Sequence, residues 1–514
     1  MNLTHILQRT AREYPERPGF TDHTGTCSWL EMLRRCEAAA GVLGALGLVA
    51  GDRLAVLADN SIAMVELLYA PCWIGAVSVP INLRWAQPEQ IDCLRDCTPV
   101  ALAADRDHAE RALELQRQCQ GIETLIFMDD GPVPDGFVSF REEQSRTTPV
   151  SVCHAGSDDL AMIVYTGGTT GRSKGVMLSH GNIVANATCY MEFGSVGDDR
   201  TVLLANPFYH TGGCSRIFVH TFMVTHVVIM KAYDAVAVME NIQRYRATDI
   251  LLIAAMGSVL VNHPKLRDYD LSSLSKIYYG AAPIPPSLLE QLHQVFPQAG
   301  FSNGYGMTEA APIVSNLGPA QHDFTGPNRH RLKSVGRPAP HVQVRIVDEF
   351  GAELPAGKVG EICVRGPNIM LGYWNMPDAT ADVIKDGWYA TGDGGYRDAD
   401  GYLYVVDRIK DMIITGGENV YSIEVERVID QLAVVRQCAV VGLPDPQWGE
   451  RVYAVVSLHA DRQLDYETLL AHCREHIAGY KCPKGLAVWP ELPLSGAKKI
   501  LKRDIRDELM RQKY

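Results

Sequence analysis

The chain has 514 residues, 46% of them apolar and 21% charged, and 48 basic against 60 acidic side chains leave a net charge of −12. That length exceeds what one hydrophobic core organises, so two or more domains are expected. The acidic balance argues against a nucleic-acid partner, normally marked by a basic face, and against an anionic membrane surface.

Residues 29–49 carry apolar side chains at helical spacing, among them Trp29, Leu33, Val42 and Leu46, and predict a helix. A turn at Gly51-Asp52 leads to a short buried strand over 54–57, and a helix is expected from about Ser61. The most apolar stretch, 62–81, is broken by Glu66, Pro71 and Pro80; it reads as a buried helix and strand, not an integral membrane segment. Residues 101–130 and 201–256 repeat the helix–strand alternation, with a core strand at 250–253. Such alternation predicts an α/β fold of doubly wound sheets.

From about 340 the pattern changes. Residues 342–347 and 359–364 alternate apolar and polar side chains between turns, which predicts antiparallel strands and a distorted antiparallel β-barrel closing a large N-terminal domain. The charged stretch 407–412 suits a hinge. A second alternation follows it, so domains of 1–408 and 409–514 are expected, the latter a small, mobile α+β lid.

Thirteen cysteines are scattered without a C-x-x-C pair, which disfavours zinc and redox motifs and favours reduced thiols. Cys93 and Cys97, four apart, predict packing on one helix face. The opening Met-Asn-Leu-Thr-His has no basic start before an apolar run, so no secretory leader is expected and a cytoplasmic location is.

Residues 165–176 read Tyr-Thr-Gly-Gly-Thr-Thr-Gly-Arg-Ser-Lys-Gly-Val after the apolar run 162–164. Glycines let main-chain N–H groups turn inward, hydroxyls add donors, and Arg172 and Lys174 add positive charge, so the simplest ligand is a polyphosphate. Ser173 precedes Lys174 and Gly175 follows it, so this is not a Walker A loop. Residues 303–309, Asn-Gly-Tyr-Gly-Met-Thr-Glu, are poor helix and poor strand formers. They gather an aromatic ring (Tyr305), a hydroxyl (Thr308) and a carboxylate (Glu309), a group suited to a purine, a phosphate and Mg²⁺.

The loop at 165–176 resembles the signature Tyr-Thr-Ser-Gly-Thr-Thr-Gly-x-Pro-Lys-Gly-Val of the adenylate-forming superfamily, which includes acyl-CoA synthetases, peptide-synthetase adenylation domains and beetle luciferases. Gly167 and Ser173 depart from it. The match to the superfamily's Tyr-Gly-x-Thr-Glu at 305–309 is complete, and further motifs in family order extend the resemblance from about residue 20 to 505.

That resemblance implies an ATP-dependent acid–CoA ligase using ATP, Mg²⁺ and coenzyme A. It assigns ATP or AMP contacts to Thr166, Gly167, Gly168, Thr169, Thr170, Gly171 and Lys174, to the turn Gly280, Ala281, Ala282 and Pro283, and to Asn303, Gly304, Tyr305, Gly306 and Met307. Asp393, read as an exposed carboxylate after a glycine in 387–393, would hold the ribose hydroxyls with Arg408. Glu309 would hold the metal. Thr308, Glu309, His210 and Lys499 form the expected catalytic set, Lys499 from alignment of 492–502 on its Lys-Ile pair, although Lys498 stands where the family has Gly. Lys410 falls at the hinge position, and Gly417 and Lys481 near the CoA path.

Tyr209, Thr211, Gly212, Tyr279, Gly304 and Met307 line the acyl pocket by position. These small and apolar residues suit a fatty (medium or long), branched or aromatic acid better than a dicarboxylate. His210, where amino-acid-activating relatives place an Asp nearby, disfavours an amino acid. Arg216 has two readings, a countercharge for a second substrate charge and one half of a structural salt bridge, and the second is favoured. An acyl-AMP ligase loading a carrier protein and a non-catalytic nucleotide-binding relative stay open as alternatives. So does a homo-oligomer, since assembly is unreadable from these residues.

Overall fold

The structure is a computed structural model that describes residues 1–166, 173–280, 284–415, 418–445, 448–495 and 499–512. The apolar period over 29–49 becomes the helix Trp29–Ala45. Ser28 and Glu31 close a reciprocal capping box at its start, worth about 1 kcal/mol. The stretch 62–81 becomes the helices Ile62–Tyr69 and Pro71–Ile74 and the strand Val77–Pro80, all buried apart from Ile74 and Gly75, which are partly exposed. Cys93 and Cys97 are both buried on the helix Gln87–Cys97, in a packing role.

Two large sheets carry the doubly wound part. In one, the parallel strands Pro18–Asp22, His226–Ile229, Thr201–Leu204, Asp249–Leu252, Lys276–Gly280 and Gly300–Gly306 lie side by side in that order. Antiparallel edges, including Ile313–Leu317, complete it. In the other, Leu160–Thr166, Val77–Pro80, Arg53–Leu57, Ala101–Ala104, Thr124–Phe127 and Phe137–Ser139 run parallel, with Lys174–Ser179 antiparallel to the first. One apolar core joins side chains of both sheets, such as Leu54, Val56, Val202 and Leu204, to helices between them. The helix Thr211–Met223 belongs to that core; it is buried on nearly every side, its polar residues Arg216 and His220 included.

The expected distorted barrel is represented by five antiparallel strands, among them Gln343–Val347, Gly360–Arg365, Trp388–Arg397 and Leu403–Arg408, with register shifts at Glu361/Cys363 and Gly394/Gly395. A last sheet uses only strands after residue 412, led by the long pair Val435–Asp445 and Gly449–Leu458. It packs with the helices Ser422–Ile429, Tyr466–His476 and Lys502–Arg511 around apolar clusters of its own. Among the described residues no helix is long and apolar enough to cross a membrane.

In open parallel sheets ligands sit beyond the carboxyl ends of the strands. Here Lys276–Gly280 and Gly300–Gly306 end side by side, Gly280 paired with Gly304. The stretch 303–309, a poor strand former by its residues, is nonetheless strand in its first half. Gly300–Gly306 is a strand, hydrogen-bonded on both sides, and only Thr308–Ala310 winds into a short 3-10 turn. Ladder partners on two neighbouring strands override the weak local strand propensity. Glycine is needed at 306, where a Cβ would lie 1.9 Å from the Pro312 carbonyl oxygen. Gly306→Ala is therefore expected to cost about 1–3 kcal/mol. A thermal melt that stays at the wild-type midpoint would refute this close approach.

Candidate active site

The strand Leu160–Thr166 turns back as Lys174–Ser179, with Thr166 opposite Lys174. The expected cradle residues Gly167, Gly168, Thr169, Thr170 and Gly171 lie outside the described residues, as do Ala281, Ala282, Pro283 and Gly417. Lys174, at the loop's far end, holds its ammonium 4.6 Å from the centre of the Tyr373 ring. The Tyr373 hydroxyl donates to Glu309 Oε1 at 3.0 Å. The phosphate-type loop and the Glu309 carboxylate are thus joined through one tyrosine.

Glu309 is pinned from behind. Its carbonyl accepts from Met370 N at 2.8 Å, and Asn368 donates to the carbonyls of Ala310 and Ile313, each at 2.8 Å. Thr308 Oγ1 accepts from Thr211 Oγ1 at 2.8 Å, which ties the 303–309 segment to the first residue of the Thr211–Met223 helix. A carboxylate offering hard oxygens beside a phosphate-type loop fits Mg²⁺.

A second group stands beside it. Arg408 Nε is 2.6 Å from Asp393 Oδ1, and the Tyr305 hydroxyl donates to Asp393 Oδ2 at 2.6 Å. Asp393 and Arg408 are cross-strand neighbours, which fixes the pair through the backbone. The expectation of an exposed Asp393 is corrected: the residue is 4% exposed, within the strand Trp388–Arg397. Burial pushes its carboxyl up while Arg408 and Tyr305 pull it down. A carboxylate so enclosed keeps its charge through its partners.

Lys499 lies in the electrostatic field of the same groups. Surrounding protein and then the Arg408 guanidinium pull its ammonium below the usual lysine value, against the opposing Asp393 and Glu309. Its backbone is fixed by paired bonds to Ser495: Lys499 N donates to Ser495 Oγ at 3.1 Å, and Ser495 N to the Lys499 carbonyl at 2.7 Å. The protonated fraction of such a lysine is lost as pH rises through its lowered pKa. If the charge on Lys499 drives the first chemical step, that step should fail on the alkaline side before an ordinary lysine would titrate. Lys499→Arg should carry the alkaline limb upward, and an unmoved limb in a pH–rate profile would count against it.

Asp407 accepts from the Ser422 hydroxyl at 2.6 Å, and Lys502 pairs with Glu426 at 2.7 Å. Lys410 sits in the short turn Ile409–Asp411, between the Asp393–Arg408 pair and the last sheet. Lys481 is engaged by Glu424 at 2.7 Å.

On the acyl side, His210 stands at the N-cap position of the Thr211–Met223 helix and packs its ring edgewise on Tyr209, centroids 4.8 Å apart. Gly212 is exposed, and a Cβ there would meet nothing within 4 Å, so the helix opens onto free space at that point. Met307 is half-buried against the main core. Tyr279 departs from its expected place. Its ring packs with Leu288, Leu289 and Phe301, and its hydroxyl lies 2.8 Å from His322 Nε2. The preceding Tyr278 points to the opposite face, because neighbours along a strand alternate. Arg216 is also corrected. Among the described residues no carboxylate pairs with it; it lies over the rings of Tyr190 and Tyr278, at 5.1 and 4.5 Å. Sequence reasoning passed over Tyr373 and Asn368, whose one local signal is a glycine-flanked stretch with no chemistry of its own.

Comparison with known proteins gives this cleft a family. The family described as AMP-binding enzyme matches residues 7–374, and the AMP-binding enzyme C-terminal domain matches 424–499. The chain belongs to the AMP-binding enzyme family. A feruloyl-CoA synthase of Amycolatopsis sp is 38% identical over 488 residues, 94% of each chain. An indoleacetate–CoA ligase of Aromatoleum aromaticum is 34% identical over 509 residues, 98% of this chain and 96% of that one.

Among solved structures, the amide bond synthetase McbA of Marinactinospora thermotolerans superposes with a TM-score of 0.89 at 29% identity, covering 99% of this chain and 100% of that one. The o-succinylbenzoate CoA synthetase of Bacillus subtilis, in complex with ATP and magnesium ion, gives 0.85 at 28% identity over 98% and 99%. The AMP-binding enzyme described here therefore falls in the acyl-CoA synthetase branch of the adenylate-forming superfamily and is an AMP-forming acid–CoA ligase.

Proposed function

We propose that the described cleft performs both half-reactions of this ligase, with Glu309, Thr308 and Lys499 managing charge in the first. The acid's carboxylate attacks the α-phosphorus of ATP, the bond to the β-phosphate oxygen breaks, and acyl-AMP and pyrophosphate result. The nucleophile is already an anion, so no general base is required. What is required is countercharge on the phosphate oxygens, supplied by preorganised donors. Lys174 and the loop before it would cradle the β- and γ-phosphates, Thr308 would donate to the α-phosphate, and Glu309 would hold Mg²⁺, which neutralises phosphate charge when bound. Asp393 and Arg408 would take the ribose hydroxyls, and Tyr305, held by Asp393, the base.

In the second half-reaction the CoA sulfur attacks the acyl carbonyl and AMP leaves. For this we propose that residues 409–514 act as a lid turning about Lys410, which would withdraw Lys499. The Lys481–Glu424 pair would then have to share its charge with CoA.

The observation that carries the reading is the convergence of the Glu309–Tyr373–Lys174 chain and the Tyr305–Asp393–Arg408 group with the field of Lys499. The feruloyl and indoleacetate ligases favour an aryl acid among the fatty, branched and aromatic classes. The likeness to an amide bond synthetase favours one rival acceptor, an amine in place of CoA. The test is pyrophosphate exchange into ATP with an acid panel, followed by product analysis with CoA or an amine added. Exchange with no thioester, but with amide, would overturn CoA as acceptor. A cytoplasmic location is part of the same proposal.

A further inference from the structure

The Thr211–Met223 helix carries a stripe that the charge chemistry above does not use. Gly212, Arg216 and His220 are four apart and so share one face. Gly212 opens onto free space beside the Thr211–Thr308 contact. One turn further in, Arg216 is only 5% exposed, and its Nη1 has no hydrogen-bond partner among the described residues. His220, the next along, is buried, and among the described residues neither of its ring nitrogens is bonded.

A guanidinium this enclosed is costly unless paired, since burying an uncompensated charge loses several kcal/mol of hydration. The faces of Tyr190 and Tyr278 recover part of that, on the order of 1–2 kcal/mol each. They leave Nη1 without an acceptor among the described residues, because a ring face meets the cation's flat side. The neighbouring His220 does not help as a countercharge. Burial, with Arg216 and Arg200 beside it, holds its pKa well below the usual histidine value and keeps it neutral.

From Gly212 to Arg216 is about 6 Å along the helix. We propose that Arg216 is a specificity-determining residue that receives an oxygen acceptor at the far end of the acid substrate, about one helical turn from the carboxylate being activated. The acceptor is a phenolic oxygen or a second carboxylate, and an aromatic ring spans the interval. This rests on the ligase reading and narrows it. The acid enters past Gly212 with its reacting carboxylate at Thr308, and its distal oxygen accepts from Arg216 Nη1. An acid ending in plain hydrocarbon would leave that donor buried and unpaired, so the pocket selects against it.

The test uses matched acids: benzoic acid with 4-hydroxybenzoic acid, and benzoic acid with benzene-1,4-dicarboxylic acid, each scored as kcat/KM for AMP release with ATP and CoA. The full chain should favour the oxygen-bearing member of one pair by on the order of 10- to 100-fold, as expected of a hydrogen bond to a charged group. Which pair shows the preference tells phenol from carboxylate. Arg216→Met should erase the preference, raising turnover of the unsubstituted member and lowering that of its oxygen-bearing counterpart, and Arg216→Lys should keep part of it. Equal turnover within both pairs by the unmodified chain overturns the proposal without any variant. So does a preference that survives Arg216→Met, or an equal loss for both members. Failure with every acid, acetate included, would sink the ligase reading, and this proposal with it.

Discussion

Lys499→Ala is expected to lower the rate of acyl-AMP formation by about 10²–10³-fold, the usual consequence of removing one preorganised group that meets transition-state charge. The same variant should make thioester from supplied acyl-AMP and CoA at nearly the unmodified rate. The reason lies in where the lysine sits. It shares a field with Asp393, Arg408 and Glu309, yet it is carried on a segment packed with the last sheet. A group delivered from a separate element can serve one half-reaction and be absent from the other. Rapid-quench measurement of each half-reaction separates them, and equal loss in both would contradict a lysine used only for adenylation.

Glu309→Gln is the second large effect. The glutamine keeps the shape and can still accept from Tyr373, but it removes the negative charge that would hold Mg²⁺. Pyrophosphate exchange is expected to drop by about 10²–10³-fold, with part of the loss recovered at high magnesium. Tyr373→Phe serves as the comparison. It takes away one donor at 3.0 Å and leaves the carboxylate, so roughly a 10-fold loss is expected, as for a hydrogen bond to a charged group. If the two variants lost the same amount, Glu309 would be acting through position alone. A magnesium titration of both reads the difference directly.

Much of the architecture was legible because it rests on short-range patterns. The helix Trp29–Ala45, the strand Arg53–Leu57 and the buried stretch around 62–81 follow from the spacing of apolar side chains, which survives any tertiary context. The grouping of Tyr305, Thr308 and Glu309 could be read for the same reason: the residues are neighbours in the chain. Asp393 was misjudged as exposed because burial depends on Tyr305 and Arg408, and Tyr305 is 88 residues away. The strand through Gly306 was not legible because its glycines are ordered by two neighbouring strands, not by their own preference.

Sequence alone determined which chemical groups this AMP-binding enzyme carries and in what order: a glycine–threonine loop, a threonine–glutamate pair, a carboxylate after Thr-Gly, a late lysine. It could do so because each motif is a local string whose chemistry travels with it. Tertiary structure alone decided that Tyr373 joins Lys174 to Glu309, that Tyr278 and not Tyr279 faces Arg216, and that Arg216 is clasped by rings and, among the described residues, meets no carboxylate. Those are contacts between residues tens to hundreds of positions apart. Their partners are selected by how sheets and helices close on one another, and no periodicity within a single segment encodes that choice.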